Sequence, residues 1–477
     1  MADLKLSFRN DVAMIESPDN AAVILQTTSR RTTLKRVTPG LRAVLTTLAS
    51  EGGTGKQLDR IIQQFDGQQA VSAFQRSLQQ FFARGLICRS VCSTFGPIAT
   101  TVPLTANGYF HVEKIKAQQK YNLSRFVYSH AKEGQMVLES PLSHACVILH
   151  HWLGNALVAT LVQPHHCHEI VTQIPDVPED TVEQFLSLLL TENMLDEFQE
   201  NSQEEDTENL VLAQWDFHDL LFHTRSRRGR HANPTGNTLR FENHVDLLPV
   251  IKPDMSAEVI PLHQSDLEVT IANDAPFTQV LEERRSIRNY GDKPITVQQV
   301  GEFLYRSARV RNIVRTELGD LSNRPYPSGG AMYELEIYLA VNRCEGLAAG
   351  LYHYQPHSHQ LHRLAAQKSD VEALLKDAAF RSMAQPEPPD VLVLMAARFQ
   401  RVAWKYEGIA YALILKNVGV LQQTMHLVAT AMGLAGCALG NGDSDLFART
   451  AGTDYYAETS VGEFALGSLP TNKPGNG

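Results

Sequence analysis

The stretch Arg284-Arg285-Ser286-Ile287-Arg288-Asn289-Tyr290, continued by Gly291-Asp292-Lys293-Pro294-Ile295-Thr296, places three guanidiniums and a hydroxyl within five residues. It lies between an acidic pair, Glu282 and Glu283, and a segment of helical spacing that begins at Val297. Guanidinium forks match phosphate oxygens with paired hydrogen bonds, and a neighbouring serine fills a further acceptor. In extended backbone Arg284, Ser286 and Arg288 project to one side, because side chains alternate with period two. The motif therefore reads as a phosphate clamp built without a glycine-rich loop. Taken alone, it reads equally as a solvated basic turn.

The chain around the clamp alternates between helical and strand patterns, which predicts an α+β fold. Val297 to Ala308 has helical spacing. Asn323-Arg324-Pro325-Tyr326-Pro327-Ser328-Gly329-Gly330-Ala331-Met332-Tyr333 follows, where paired Pro and Gly set a turn whose backbone can approach a flat ligand. Leu335 to Val341, a segment beginning at Gly350, and Asp390 to Ala396 read as strands. Ala403-Trp404-Lys405-Tyr406-Glu407 is expected to open the longest helix, ending near Met432-Gly433. That helix is apolar round much of its circumference, which places it inside a domain or a dimer interface. Gly436 to Asp443 reads as a loop offering backbone N–H groups, and Glu458 to Gly467 as the strand that closes the sheet. By itself Lys405 reads as a snorkelling residue at a helix start.

The N-terminal half repeats one pattern at about 100-residue spacing. Leu4 to Phe8 alternates as a strand, Ala22 to Gln26 is a short apolar run, and Thr38 to Leu48 carries a helix start signal. Ala73 to Arg84 is amphipathic and runs into a strand at Gly85 to Val91, the helix-turn-strand ending of a winged-helix module. Phe126 to His130 and Gln135 to Glu139 then read as a strand pair, Leu142 to Leu153 as helical, and Thr181 to Leu190 as a helix leading into Asn193 to Glu197. His165-His166-Cys167-His168 lacks a second ligand pair at finger spacing, so no metal site is expected and a polar loop is the default. Gln199 to Glu208 is polar and acidic, the best linker in the chain. Trp215 to Arg228 reads as a helix whose basic end suits its C-terminus.

Composition bounds the remaining possibilities. The chain has 477 residues, 43% hydrophobic and 20% charged, with a net charge of −9, enough for two to four domains and poorly suited to nucleic acid. No apolar run approaches the ~18 residues that mark a membrane span, and the N-terminus lacks a signal peptide's apolar stretch. Six scattered cysteines suit reduced thiols, so a cytoplasmic location is expected. Residues 1–100 carry 12 Lys/Arg against 7 Asp/Glu, whereas residues 101–210 carry 5 against 16, a shift that separates two differently surfaced units.

Residues 281–296, 323–341, 403–443 and 458–469, in that order, resemble the FMN-dependent nitroreductase superfamily, and more closely its SagB/McbC-type azoline dehydrogenases, which make azoles in ribosomal peptides. The tandem N-terminal modules are similar to those of the cyanobactin thiazoline oxidases, in which a peptide-clamp fold grips leader peptides. Arg-Arg-Ser-Ile-Arg is weakly specific alone, but with Tyr-Pro-Ser-Gly-Gly at 326–330 and Trp-Lys-Tyr-Glu-Gly at 404–408 it is distinctive. The resemblance implies two winged-helix, peptide-clamp-like modules at 1–95 and 96–200, a linker and approach segment at 201–275, and a nitroreductase-like FMN domain at 276–477 with a mixed central sheet flanked by helices. It implies that Arg284, Arg285, Ser286 and Arg288 contact the FMN phosphate and ribityl chain. Pro327, Ser328 and Gly329 would lie against the isoalloxazine from the partner subunit of a homodimer. Leu439, Gly440 and Asn441 match the loop whose backbone N–H meets flavin N5, although this chain reads Ala-Leu-Gly-Asn-Gly-Asp where the branch usually reads Pro-Ile-Gly-Ala-Phe-Asp.

Lys405 and Tyr406 match the pair assigned to catalysis in that branch. The implied activity is oxidation of thiazolines, with oxazolines as a second substrate class, in a leader-bearing precursor peptide, with neither nucleic acid nor membrane as partner and dioxygen as re-oxidant. The alternatives are a broad-specificity FMN nitroreductase or ene-type reductase, and a non-catalytic leader-binding scaffold.

Overall fold

In the computed structural model, residues 4–17, 22–28, 30–94, 96–106, 108, 110–174, 177–198, 210–382 and 387–470 are described. The expected linker at 199–208 lies outside them. The chain divides into two compact units, Met1–Asn233 and Pro234–Gly477. Among the described residues no helix is long and apolar enough to cross a membrane.

The first unit carries the repeated pattern in its element order. A three-stranded meander, Ala13–Glu16, Ala22–Gln26 and Arg31–Lys35, precedes the helices Pro39–Ala49, Gly55–Asp66 and Val71–Ala83 and the strand Ile87–Ser93. The second pass runs from Tyr128–Lys132, Gln135–Glu139 and Ala145–Leu149 through Trp152–Thr160, Cys167–Gln173 and Glu179–Thr191 to the strand Leu195–Phe198. One seven-stranded sheet joins the two passes, with Gly96–Pro103 paired to Ala145–Leu149. The helical reading of Leu142 to Leu153 is corrected here. Ala145-Cys146-Val147-Ile148-Leu149 is an inner strand between two others, and a short apolar run of this kind has no period to distinguish it from a helical one. At the start of the helix Cys167–Gln173 the Glu169 side chain accepts the His166 N–H at 2.8 Å.

The second unit is built on a seven-stranded sheet in the order Val259–Pro261, Gln360–Arg363, Gly350–Gln355, Leu335–Val341, Val391–Arg398, Glu458–Ser468, Leu434–Leu439. Its six ladders are all antiparallel, so the mixed strand direction expected for the sheet is also corrected. Parallel neighbours need crossovers, whereas strands such as Gly350–Gln355 and Gln360–Arg363 are joined by a four-residue turn. Among the described residues a parallel pairing occurs only as an isolated bridge between Thr296 and Glu345.

Leu335–Val341 and Val391–Arg398 are buried along their whole length. Leu335, Ile337, Leu339 and Val341 face a core shared with the helix Ala410–Ala431, whereas Tyr338 and Ala340 face a second core with Lys368–Arg381 and Ser444–Ala451. The period of two thus puts helices on both faces.

Two further boundaries differ from expectation. Lys405 ends the short helix Phe399–Lys405, and Tyr406-Glu407 is a two-residue strand. Gly408, at φ 70°, then turns the chain into the long helix Ala410–Ala431. The single expected helix is therefore two, broken where Tyr406 adopts extended backbone. The expected loop at Gly436 to Asp443 begins only at Gly440, because Leu434–Leu439 is a strand paired with Glu458–Ser468. The long helix buries Ile414, Asn417, Val418, Leu421, Met425, His426 and Ala429 at helical spacing, while Tyr411, Leu415 and Val420 face outward.

Candidate active site

Lys405 and Tyr406 meet the Pro327–Gly330 turn. The Lys405 ammonium donates to the Gly330 carbonyl oxygen at 3.4 Å and sits 5.7 Å from the Tyr406 ring centre. Gly330 has φ 63°, and a Cβ there would lie 2.3 Å from the Tyr406 hydroxyl and 3.1 Å from Lys405 Nζ. Only glycine allows that approach. Ala331 and Tyr333 also have positive φ, 57° and 44°, so the backbone is strained at two positions just beyond Gly330.

A buried polar network holds this turn. The Asn417 side-chain carbonyl accepts the Gly329 N–H at 3.1 Å, and its amide donates to Glu334 at 2.8 Å and to Ser328 Oγ at 3.2 Å. Ser328 Oγ donates to the other Glu334 oxygen at 3.3 Å and accepts from the Tyr333 N–H. Burial pushes the Glu334 carboxyl upward against these hydrogen bonds.

The backbone around Lys405 is tied from the other side by residues 234–249. Gly236 and Asn237 pair with Glu407 and Tyr406, and the Thr238 and Leu239 N–H groups donate to the Lys405 carbonyl. Trp404 Nε1 donates to the Val245 carbonyl at 2.6 Å, Arg398 to that of Pro249, and Arg401 to those of Leu248 and Met332.

The guanidinium clamp lies elsewhere on the same unit. Arg284 is half-buried at the end of the helix Phe277–Glu283, and Arg285, Ser286 and Arg288 are exposed. The Ile287 N–H donates to the Gly436 carbonyl, which fastens the clamp to the edge strand that ends at Leu439. His426, on the long helix, accepts the Ala438 N–H at 3.3 Å. Burial, with the Arg284 charge as a second cause, lowers its imidazole to about 4. Gly440 and Asn441 are exposed just beyond, and a Cβ on Gly440 would meet nothing within 4 Å.

The expected residues thus form two groups in one chain. Arg284, Arg285, Ser286 and Arg288 join Leu439, Gly440 and Asn441 through the edge strand, while Pro327, Ser328 and Gly329 join Lys405 and Tyr406. Asn417 serves one group and His426 the other. They stand nine residues apart on one helix, roughly 13 Å at 1.5 Å per residue.

Asn417, Glu334 and His426 were missed in the sequence; for Asn417 and His426 the available signal was a polar residue on an otherwise apolar helical face. In the first unit, Asp216, His218 and Asp219 form an exposed group whose ligand atoms lie within 4.8 Å of one another.

The clamp's donor set suits a phosphorylated flavin. Among the described residues Arg284, Arg285 and Arg288 enter no ion pair or hydrogen bond through their side chains, beside a strand end whose backbone is open at Gly440.

Comparison with known families agrees with this two-part architecture. Residues 281–468 match the nitroreductase family, residues 1–112 the ThcOx helix-turn-helix domain, and residues 121–232 the cyanobactin oxidase ThcOx family. The C-terminal part of the chain has a nitroreductase fold, and the segments that precede it match the family models of the cyanobactin oxidases. It is 28% identical over 175 residues to a candidate nitroreductase of Methanocaldococcus jannaschii, covering 37% of this chain and 83% of that protein. It is 30% identical over 115 residues to the microcin B17-processing protein McbC of Escherichia coli, and 25% identical over 132 residues to the trifolitoxin-processing protein TfxB of Rhizobium leguminosarum bv. trifolii. These matches cover 23% and 27% of this chain and span 42% and 35% of the two relatives, less than half of each. A solved E. coli microcin synthetase McbBCD complex with truncated pro-MccB17 bound aligns at 20% identity over 51% of this chain and 85% of that one, with a TM-score of 0.33.

Proposed function

We propose that the protein is an FMN-dependent oxidase that converts thiazolines, and oxazolines as a second class, to azoles in a ribosomally made peptide. The observation that carries this reading is the packing of Lys405 and Tyr406 on the Pro327–Gly330 turn, in a unit that also presents an unpaired arginine clamp. Arg284, Arg285 and Arg288 would hold the phosphate, Ser286 a further oxygen, and the backbone at Leu439–Asn441 the ring edge. Bound FMN supplies a two-electron acceptor for the hydride that leaves the azoline ring.

Lys405, as its neutral amine, would take the proton from the neighbouring ring carbon, as a general base does when positioned within reach. Its carbonyl is held by the Thr238 and Leu239 N–H groups and its Nζ by the Gly330 carbonyl, so its reach is set at both ends. The Tyr406 hydroxyl, over the same glycine, orients the ring or relays the proton.

The site is completed across a homodimer, each chain supplying its 327–329 turn to the flavin held by its partner. The separation of the two residue groups in one chain and the outward Tyr411, Leu415 and Val420 of the long helix favour that arrangement. The N-terminal modules take the leader. A groove of about 490 Å³ in the first unit, lined by Arg9, Arg30, Arg31, Arg84, Thr27 and Thr33, borders the edge strand Arg31–Lys35 and suits an extended acidic segment.

The test is incubation of the purified protein, in air, with a leader-bearing peptide that contains a thiazoline. A yellow protein and loss of two hydrogens per ring are expected. A colourless protein, or a yellow one that acts only on nitroaromatics with a reduced nicotinamide, contradicts the reading.

A further inference from the structure

We propose that Asn417, with Glu334, is a positioning residue that holds the Gly329–Gly330 turn against Lys405 and Tyr406. The proposal rests on the function above and extends it to residues that touch neither flavin nor substrate. The backbone just beyond Gly330 is strained at Ala331 and Tyr333, and strained backbone persists only where its surroundings over-determine it. Asn417 supplies that constraint with every polar hydrogen-bonding group it has. One side-chain atom accepts the Gly329 N–H, and the amide nitrogen reaches both Glu334 and Ser328. The amide orientation is therefore unique, since flipping it would face two donors at Gly329 and two acceptors at Glu334.

The long helix needs an apolar residue at this place. Ile414, Val418 and Leu421 share the buried face with Asn417, which is itself 5% exposed. A buried amide there costs free energy unless it is fully bonded, and its bonds run to Ser328 and Gly329 of the turn and to Glu334 just beyond it. The next contact from that turn is the Lys405 ammonium.

The test uses the full-length chain and three variants: Asn417→Asp, Glu334→Gln, and the double exchange that swaps amide and carboxyl. In Asn417→Asp two carboxyls face each other, and they cannot both ionise cheaply. Arg324, Arg401 and Tyr326 are the other ionisable groups whose charge reaches Glu334. The paired variant should therefore work in acid, where one carboxyl keeps its proton, and fail as the pH rises.

The first readout is the rate at which a small amine-reactive reagent modifies Lys405 in flavin-free protein, measured by mass spectrometry against the other lysines. The second is kcat and KM across pH. In Asn417→Asp, Lys405 labelling should rise several-fold in mildly alkaline solution, and kcat should fall on the order of 10²-fold with KM and flavin content little changed. The double exchange should restore both. If Asn417→Asp does not accumulate, Asn417→Ser should show the labelling change without the pH dependence. Unchanged Lys405 labelling, or a double exchange that restores nothing, overturns the proposal. Labelling that responds while turnover does not leaves Asn417 as the positioning residue and removes Lys405 from the chemistry, so the two failures are separable.

Discussion

The Lys405 ammonium lies 3.4 Å from the carbonyl oxygen of Gly330, joining positions that stand 75 residues apart in the chain. The contact sets a cation against a backbone carbonyl at a glycine whose missing side chain makes room for the Tyr406 hydroxyl. Two short stretches that are unremarkable alone become one polar corner.

Replacing Gly330 by alanine fills that corner. The new Cβ would fall 2.3 Å from Tyr406 Oη at a φ of 63°, so the hydroxyl and the turn cannot both stay. A stability loss of about 1–3 kcal/mol is expected from the backbone strain, along with loss of turnover. Flavin content should be retained, because the clamp is elsewhere. A thermal melt, flavin absorbance and the azoline assay read the three quantities, and an alanine variant indistinguishable from wild type in all of them contradicts the geometry.

Removing the clamp has the opposite signature. Arg284→Ala/Arg288→Ala should fold and be colourless. Charge-assisted bonds to a phosphate contribute about 1.5–3 kcal/mol each, so the double variant should lose FMN affinity by at least ~10²-fold. Full FMN occupancy after dialysis would remove these arginines from the site.

His426 predicts an acid limit to stability. Burial, and secondarily the Arg284 charge, hold its folded-state imidazole at about 4, whereas an unfolded histidine takes its proton near 6.5. The unfolded chain therefore binds more protons between those values. The stability this neutral imidazole contributes is complete above about pH 6.5 and is lost as the pH falls toward 4, by up to about 3 kcal/mol. His426→Leu should show a correspondingly shallower fall in Tm over that window, and equal slopes would refute the assignment. The other acid-sensitive groups are common to both proteins and cancel in the difference.

The basic groove predicts a substrate-dependent defect. Arg31→Glu with Arg84→Glu should raise KM for a leader-bearing peptide and leave that for a leader-free azoline unchanged. Equal effects on both substrates would place the leader elsewhere.

Much of this architecture was legible from pattern. Leu335–Val341 read as a strand, helical spacing marked Val297–Ala308, and the paired Pro and Gly marked the turn at 325–330. Three segments were misread for physical reasons. Ala145-Cys146-Val147-Ile148-Leu149 is apolar without interruption because it is an inner strand, and such a run has no period. Tyr406-Glu407 sits inside a helical pattern but is held extended by pairing with Gly236-Asn237, a contact between distant parts of the chain that no local signal carries. Gly436 to Leu439 is glycine-containing yet forms a sheet edge, because Phe464 of the neighbouring strand packs where a Gly436 side chain would be.

For the site, residue types were readable and partners were not. The clamp stands out by composition, whereas the Lys405–Tyr406 pair is picked out only by the family resemblance. Asn417 and Glu334 matter only through each other, 83 positions apart.

The central claim is that Lys405 removes the proton as the hydride leaves, and anaerobic flavin reduction tests it most directly. Wild type and Lys405→Ala, each loaded with FMN, are mixed with a thiazoline peptide without oxygen and the flavin absorbance is followed. General-base loss typically costs ~10²–10⁴-fold, so the variant should keep its flavin and bleach at less than about a hundredth of the wild-type rate. Tyr406→Phe should be slowed as well, and less so if its hydroxyl only orients the ring. A Lys405→Ala protein that bleaches at the wild-type rate would make the pair structural and contradict the account.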